Sequence, residues 1–129
     1  LVDAPCSGLG TLRRNPDLKW RQSAKSVEEL VAKQTAILDS SARLLKPGGR
    51  LVYATCSILP QENEAIAEAF GAAHPDFEML DAGALLEQLK VEGALALCSG
   101  GATGSGYLRL WPHLHQTDGF FAAIWSKKA

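Results

Sequence analysis

Residues 51–57 read LVYATCS, an apolar run that stops abruptly at a cysteine–serine pair. Arg50–Thr55 is continuous and apolar rather than alternating, the pattern of a centre strand covered on both faces. Pro60 then falls at the first turn of a helix, with Glu62 and Glu64 favourable beside its amino terminus. A buried strand ending in polar residues just before a helix carries those residues to the carboxyl edge of a parallel sheet, where α/β proteins bind their ligands. Cys56 is the side chain carried there.

Upstream, Leu1 and Val2 read as the end of a second buried strand and Asp3 as its exit. Pro5 and Gly8 break regular structure, which predicts a loop over 4–10. Ser26 and Glu29 form the pattern of a capping box. Val27, Leu30, Val31, Leu38 and Leu45 follow at helical spacing, interrupted by Gln34, so a helix is expected to about Leu45. Lys46-Pro47-Gly48-Gly49 ends it. A right-handed strand–helix–strand crossover puts the 4–10 loop and the loop after Thr55 at one sheet edge. With neighbouring strands ~5 Å apart, Cys6 and Cys56 are expected to meet there.

Downstream, a helix from Pro60 runs to about Ala73, and Phe77–Leu80 reads as a short strand. Ala82–Lys90 suggests a short helix. Ser99–Gly106 is glycine-rich without GxGxxG spacing and reads as a flexible loop. Tyr107–Trp111 and Gly119–Ser126 are the last strands, with Phe120 and Phe121 on opposite faces. The order predicts an α/β fold with a mainly parallel sheet and an antiparallel last strand.

Composition bounds the class. The chain is 47% hydrophobic and 21% charged, ordinary for a globular domain, and its length fits one domain or part of one. No apolar stretch reaches the ~18–20 residues of a membrane span, so no membrane partner is expected. Three scattered cysteines form neither a disulfide framework nor a metal-ligand spacing, which points to a reduced, cytoplasmic protein without a structural metal. The net charge is −1, yet residues 11–25 hold Arg13, Arg14, Lys19, Arg21 and Lys25 against Asp17 alone. Such a segment suits phosphate contact and is equally the composition of a solvated loop.

Cys6 and Cys56 each follow a strand end and precede a serine, and thiolates are strong, soft nucleophiles. Loop position alone leaves chemistry and inert filler evenly matched for both, whereas Cys98, in an apolar segment, reads as filler.

Three stretches carry a more specific signal. VDAPCSGLGTLRRNPDLKW (2–20), KPGGRLVYATCSILPQENE (46–64) and LRLWPHLHQTDGFFAAIWSKK (108–128) resemble, in order and with matching linkers, motifs of the Nop/Sun family of RNA 5-cytosine methyltransferases. The resemblance implies the carboxyl-terminal half of a Rossmann-like catalytic domain that uses S-adenosyl-L-methionine on RNA, ribosomal RNA in particular. It implies that Cys56 attacks C6 of cytosine and that Cys6 assists release of the adduct. Asp3 is then placed by the cofactor's methionine part and the cytosine's polar edge.

DNA cytosine methyltransferases use a proline–cysteine dipeptide as nucleophile, which points instead to Cys6. Sequence physics does not separate the two assignments, and the family match favours Cys56. Arg13, Arg14 and Lys19 are expected to contact RNA, and Trp20 to pack. His113 and His115 lack a third ligand for a metal and are expected to shape a turn.

A Rossmann-type site also needs a glycine-rich turn and a ribose-binding acid, and neither occurs here. The chain therefore reads as a fragment of a longer enzyme, inactive alone, whose apolar edge near Leu1–Asp3 invites self-association. The rival reading is a non-catalytic RNA-binding or self-associating module that retains the half-fold.

Overall fold

The structure, a computed structural model, describes residues 1–129. Six strands form one sheet: β1 (Val2–Asp3), β2 (Arg50–Thr55), β3 (Phe77–Leu80), β4 (Cys98–Gly100), β5 (Gly104–Leu110) and β6 (Phe120–Lys127). The helices are α1 (Leu18–Arg21), α2 (Ala24–Ala42), α3 (Glu64–Ala73), α4 (Ala82–Gln88) and α5 (Pro112–His115). The strand order is β1-β2-β6-β5-β4, with β3 also pairing β6.

The expectation of a mainly parallel sheet does not describe this chain's own strands. Only β1 and β2 pair in parallel, and the other four pairings are antiparallel. The reason lies in the connections. A parallel neighbour needs a long crossover, which α2 supplies once, between β1 and β2. β4 and β5 are separated by three residues, enough only for a hairpin. β6 returns antiparallel beside β2, as expected, and fixes the register of Leu51 against Trp125, Tyr53 against Ala123 and Thr55 against Phe121.

Those pairs share one face, and that face is the core. Leu51, Tyr53, Phe121 and Trp125 are almost wholly enclosed, together with Leu38 and Ala42 of α2 and Ile66, Ala67 and Phe70 of α3. Each fully buried large apolar side chain contributes roughly 1.5–3 kcal/mol. The opposite face is less covered: Val52 and Ala54 keep partial exposure. β2 is thus central in the hydrogen-bonding direction but fully buried on one face only.

The N-cap of helix α2 lies three residues before the expected one. Ser23 is the N-cap, accepting from the Ser26 amide, and Ser26 Oγ accepts from the Ser23 amide in return. The capping box is therefore Ser23–Ser26, because the short hydroxyl of Ser26 reaches back as a longer Glu side chain was expected to from position 29. The buried stripe runs through Gln34, Leu38 and Ala42. Gln34 does not interrupt it; its amide donates to Pro5 O at 2.9 Å and Glu62 Oε1 at 3.1 Å, which makes burial affordable.

The helix expected from Pro60 is split. A 3-10 turn spans Pro60–Glu62, and α3 starts at Glu64 after Asn63 leaves helical geometry. Ser99–Gly106 is a β-hairpin, not a flexible loop. Gly100, Gly101 and Gly104 supply positive φ at its turn, and Asp81 accepts from Thr103 Oγ1 and Ser105 Oγ, tying the hairpin to the start of α4.

Candidate active site

The parallel pairing of β1 with β2 puts two loops side by side at the carboxyl ends of both strands. Ala4 N donates to Ala54 O at 3.0 Å, and Gly10 N to Cys56 O at 2.8 Å. The loops carry the same sequence pattern, Cys6-Ser7-Gly8-Leu9 and Cys56-Ser57-Ile58-Leu59. In each, the serine Oγ accepts from the leucine amide two residues on, at 3.4 Å for Leu9 and 3.0 Å for Leu59. These local turns aim both cysteines the same way. Cys6 Sγ and Cys56 Sγ lie 3.4 Å apart, and both thiols are free and half-buried.

A third segment closes in. Gly119 N, just before β6, donates to Gly10 O at 2.7 Å. A Cβ on Gly10 would sit 2.3 Å from Gly119 O and 2.5 Å from Cys56 O, and one on Gly119 would sit 2.6 Å from Ile58 Cγ2. Three backbones meet at a separation that only glycine permits.

Beneath the loops lies a buried carboxylate. Glu62 Oε1 accepts from Ser7 N at 2.8 Å and Gln34 Nε2 at 3.1 Å; Glu62 Oε2 accepts from Ser7 Oγ at 2.7 Å and from Ser57 Oγ. Four donors converge on it, which is the coordination of an ionised carboxylate. Buried Asn63 adds a second stitch, accepting from Thr55 Oγ1 at 2.5 Å and donating to Ser57 O at 2.9 Å. Glu62, expected beside a helix amino terminus, lies just ahead of α3 and is fully buried.

The two thiols differ in proton affinity. The hydrogen bond from Cys6 pulls Cys56 down from 9.0 to about 7, against burial and the negative charges of Asp3 and Glu62. Cys6 is pushed far above the ordinary thiol range by that same bond, then by burial. The pair holds one readily lost proton, from Cys56, and Cys6 remains the donor.

The other expected residues separate into those at the site and those beside it. Asp3 ends β1 at the same sheet edge, exposed, with its charge felt at Cys56. Arg13 Nε bonds Asp118 Oδ1 at 2.8 Å, and Arg14 Nη2 reaches Asp118 Oδ2 at 2.5 Å. Their guanidiniums hold the Asp118 carboxyl below its usual range, Arg14 more strongly, and both arginines stay half-exposed. The two bases are therefore anchored by an acid ahead of β6 rather than free.

Lys19 lies 5.1 Å from the Trp20 ring centre, and Trp20 is 81% exposed, so the expectation that Trp20 packs is wrong. The four-residue α1 is too short to fold that ring onto the core. Beside both loops runs a groove of about 740 Å³, walled by Leu9, Leu12, Val27, Val31 and Leu59 with Lys19 among its polar residues. His115 does shape a turn, accepting from Trp111 N at 2.9 Å and meeting Ala96 O at 2.7 Å. No group of three metal-ligating side chains comes together, and no helix is long and apolar enough to cross a membrane.

Sequence reasoning missed Glu62, Gln34, Asp118 and the Gly10–Gly119 contact. It also missed Arg109, buried among Trp111 and Phe121 with Glu64 at 3.1 Å. One signal was available: the repeated Cys-Ser-Xaa-Leu calls for a shared partner for the two serines.

Comparison with known proteins decides the family. Residues 1–126 match the family described as 16S rRNA methyltransferase RsmB/F. The chain belongs to that family. It is 44% identical over 123 residues to a probable ribosomal RNA small subunit methyltransferase B of Synechocystis, covering 95% of this chain and 26% of that protein.

Among solved structures, PH0851 superposes with a TM-score of 0.81 at 39% identity, over 97% of this chain and 25% of that one. NSun6 from Pyrococcus horikoshii, solved with SFG, gives 0.72 at 28% identity, over 99% and 29%. The fold is the mixed α/β arrangement of these proteins, a Rossmann-like half domain. The chain spans about a quarter of the length of the RsmB/F relatives it matches.

Proposed function

We propose that this chain carries the nucleophile of an S-adenosyl-L-methionine-dependent RNA cytosine-C5 methyltransferase acting on small-subunit ribosomal RNA. The observation that carries the reading is the Cys6–Cys56 pair, 3.4 Å apart with Cys56 near pKa 7, in a chain of the RsmB/F family. A thiolate available at neutral pH is what addition to an aromatic ring requires.

The Cys56 thiolate adds to C6 of the target cytosine, and the C5=C6 electron pair makes C5 nucleophilic. S-adenosyl-L-methionine, when bound, supplies the methyl group that C5 acquires. After water or a base of the longer protein takes the C5 proton, the C5=C6 bond re-forms and the Cys56–C6 bond breaks, returning the thiolate. Cys6 keeps its proton throughout and hydrogen-bonds the departing Cys56 sulfur, as it does in the resting site. Release is easier because the leaving thiolate is stabilised.

Asp3 suits the polar edge of the base and one end of the cofactor: it is an exposed carboxylate at the strand edge, close enough to Cys56 to act on its charge. One acid does not hold a cofactor, and the glycine-rich turn and ribose acid belong to the longer protein in this reading. SFG, a cofactor analogue, accompanies the NSun6 neighbour and supports the same ligand class. Lys19, together with Arg13 and Arg14 on Asp118, lies downstream of the first loop where RNA phosphates are to be met. A paired target cytosine must leave its stack to reach the thiol.

The test is adduct trapping with the full-length parent protein and RNA carrying 5-fluorocytidine, whose C5 fluorine blocks proton loss. The parent protein traps a covalent complex, Cys6→Ala retains it, and Cys56→Ala loses it. A complex that persists in Cys56→Ala and disappears in Cys6→Ala reverses the assignment.

A further inference from the structure

Both cysteine loops, residues 6–9 and 56–59, rest on one side chain that lies outside them. We propose that Glu62 is a positioning residue, a buried carboxylate clamp that sets the spacing of Cys6 and Cys56 by holding the serine next to each.

The hydrogen-bond directions are fixed by the chemistry of the donors. The Leu9 and Leu59 amides donate to Ser7 Oγ and Ser57 Oγ, so each hydroxyl keeps its own proton for Glu62. The Ser7 amide adds a third bond and Gln34 Nε2 a fourth. Gln34 also holds the first loop directly through Pro5 O. The Glu62 carbonyl accepts from Tyr53 Oη at 2.6 Å, which anchors the clamp itself to the core face of β2.

Nothing else gathers side chains from both loops in this way. Ser7 Oγ and Ser57 Oγ are 3.3 Å apart, a separation matching the 3.4 Å between the sulfurs one residue earlier. Both hydroxyls meet one oxygen, Oε2, while Oε1 meets the Ser7 amide and Gln34 Nε2, so an acceptor-only group serves all four donors; an amide in its place would turn its NH2 end on two of them. Burial raises the cost of any mismatch.

Glu62 has two opposed influences on Cys56. Its charge disfavours the thiolate, whereas its clamp keeps the Cys6 donor in place, which favours the thiolate. A purely electrostatic role and a positioning role therefore predict shifts of opposite sign. The other groups whose charge or proton bears on Cys56 are Cys6, Asp3 and Arg14, and all stay unchanged in the variants below.

The inference rests on the reading of the two thiols as the catalytic pair, but its test reads the thiols themselves. In the full-length parent protein, the rate of Cys56 alkylation by iodoacetamide is followed against pH by mass spectrometry of the Cys56 peptide. Glu62→Gln is expected to raise the midpoint by about one unit or more and to cut the rate at pH 7 about fivefold or more, from the loss of thiolate fraction. Glu62→Asp, which keeps the charge but is one methylene short, is expected to raise it too. Ser7→Ala and Ser57→Ala are each expected to raise it by about half a unit. Methyl transfer should lose kcat with little change in KM for RNA.

A midpoint that falls in Glu62→Gln and stays put in Glu62→Asp overturns the proposal in favour of charge alone. An unchanged midpoint in both overturns it as well. Thermal melting reports whether the Glu62 variants fold; should they not, the serine variants decide the matter, an unshifted midpoint counting against the clamp. Failure of the adduct experiment with intact alkylation shifts would remove the catalytic reading and leave the clamp standing.

Discussion

The first and second cysteine loops have the same four-residue pattern and opposite proton affinities. The first follows β1, a two-residue edge strand with one neighbour; the second follows β2, six residues long between β1 and β6. Cys6 is the more enclosed thiol and keeps its proton, while Cys56 receives the hydrogen bond and gives its proton up near pH 7. Local sequence therefore sets the shape of each loop, and the neighbour sets its chemistry. Two identical dipeptides acquire different characters because one thiol has to be the donor.

The comparison breaks most severely where the donor is removed. In the full-length parent protein, Cys6→Ala is expected to raise the alkylation midpoint of Cys56 from about 7 to 9.0, the value of an unperturbed thiol, or beyond it, since burial and the charges of Asp3 and Glu62 remain. At pH 7 the thiolate fraction then falls from about half to about one-hundredth, so alkylation slows roughly 10- to 50-fold. Cys6→Ser keeps a donor and should preserve much of the shift. If Cys6→Ala leaves the midpoint near 7, the difference between the loops has another cause.

Gly10→Ala tests the contact that brings the loops together. A methyl group there meets the carbonyl oxygens of Gly119 and Cys56 far inside contact distance. Overpacking of this kind costs about 1–3 kcal/mol or more, because backbone rather than a flexible side chain must move. A lowered melting temperature and a Cys56 midpoint moved toward that of a free thiol are expected; an unchanged melt would show that the loops tolerate separation.

The pH dependence sharpens the comparison without mutation. Cys56 has its pKa lowered, so its thiolate is mostly present above pH 7 and lost as pH falls through that value. Cys6 has its pKa raised, so it stays a thiol through the same range. Alkylation of the wild-type parent protein should modify Cys56 first, with a midpoint near pH 7, and Cys6 only at much higher pH. Equal rates for both peptides across pH 6–8 would remove the distinction.

Asp118→Asn is expected to have the smallest effect on the thiols. It weakens the anchoring of Arg13 and Arg14 and should alter the salt dependence of RNA binding while leaving the Cys56 midpoint unmoved. A shifted midpoint would mean that the arginine pair acts on the second loop directly.

Much of the architecture was legible because it depends on local pattern. The run Arg50–Thr55, the stop at Lys46–Gly49 and the β1–α2–β2 crossover together place Cys6 beside Cys56. What was illegible depends on partners distant in sequence. Gln34 looked like a flaw in an apolar stripe until Pro5 and Glu62 appeared beside it, 29 and 28 residues away. Glu62 looked like a helix-end charge because nothing local reveals that Ser7 and Ser57 point at it. The hairpin at Ser99–Gly106 was read as a loop since glycine signals a turn but not the Asp81 carboxylate that ties it down. Arg13 and Arg14 looked free because Asp118 lies more than a hundred residues on.

The meeting of Gly10 with Cys56 and Gly119 is made by peptide groups at a spacing only glycine allows, and no side chain takes part in its hydrogen bonds. Changes in the surrounding side chains, those of the Leu9–Leu59 groove included, can therefore leave that meeting, and the distance between the two sulfurs, in place.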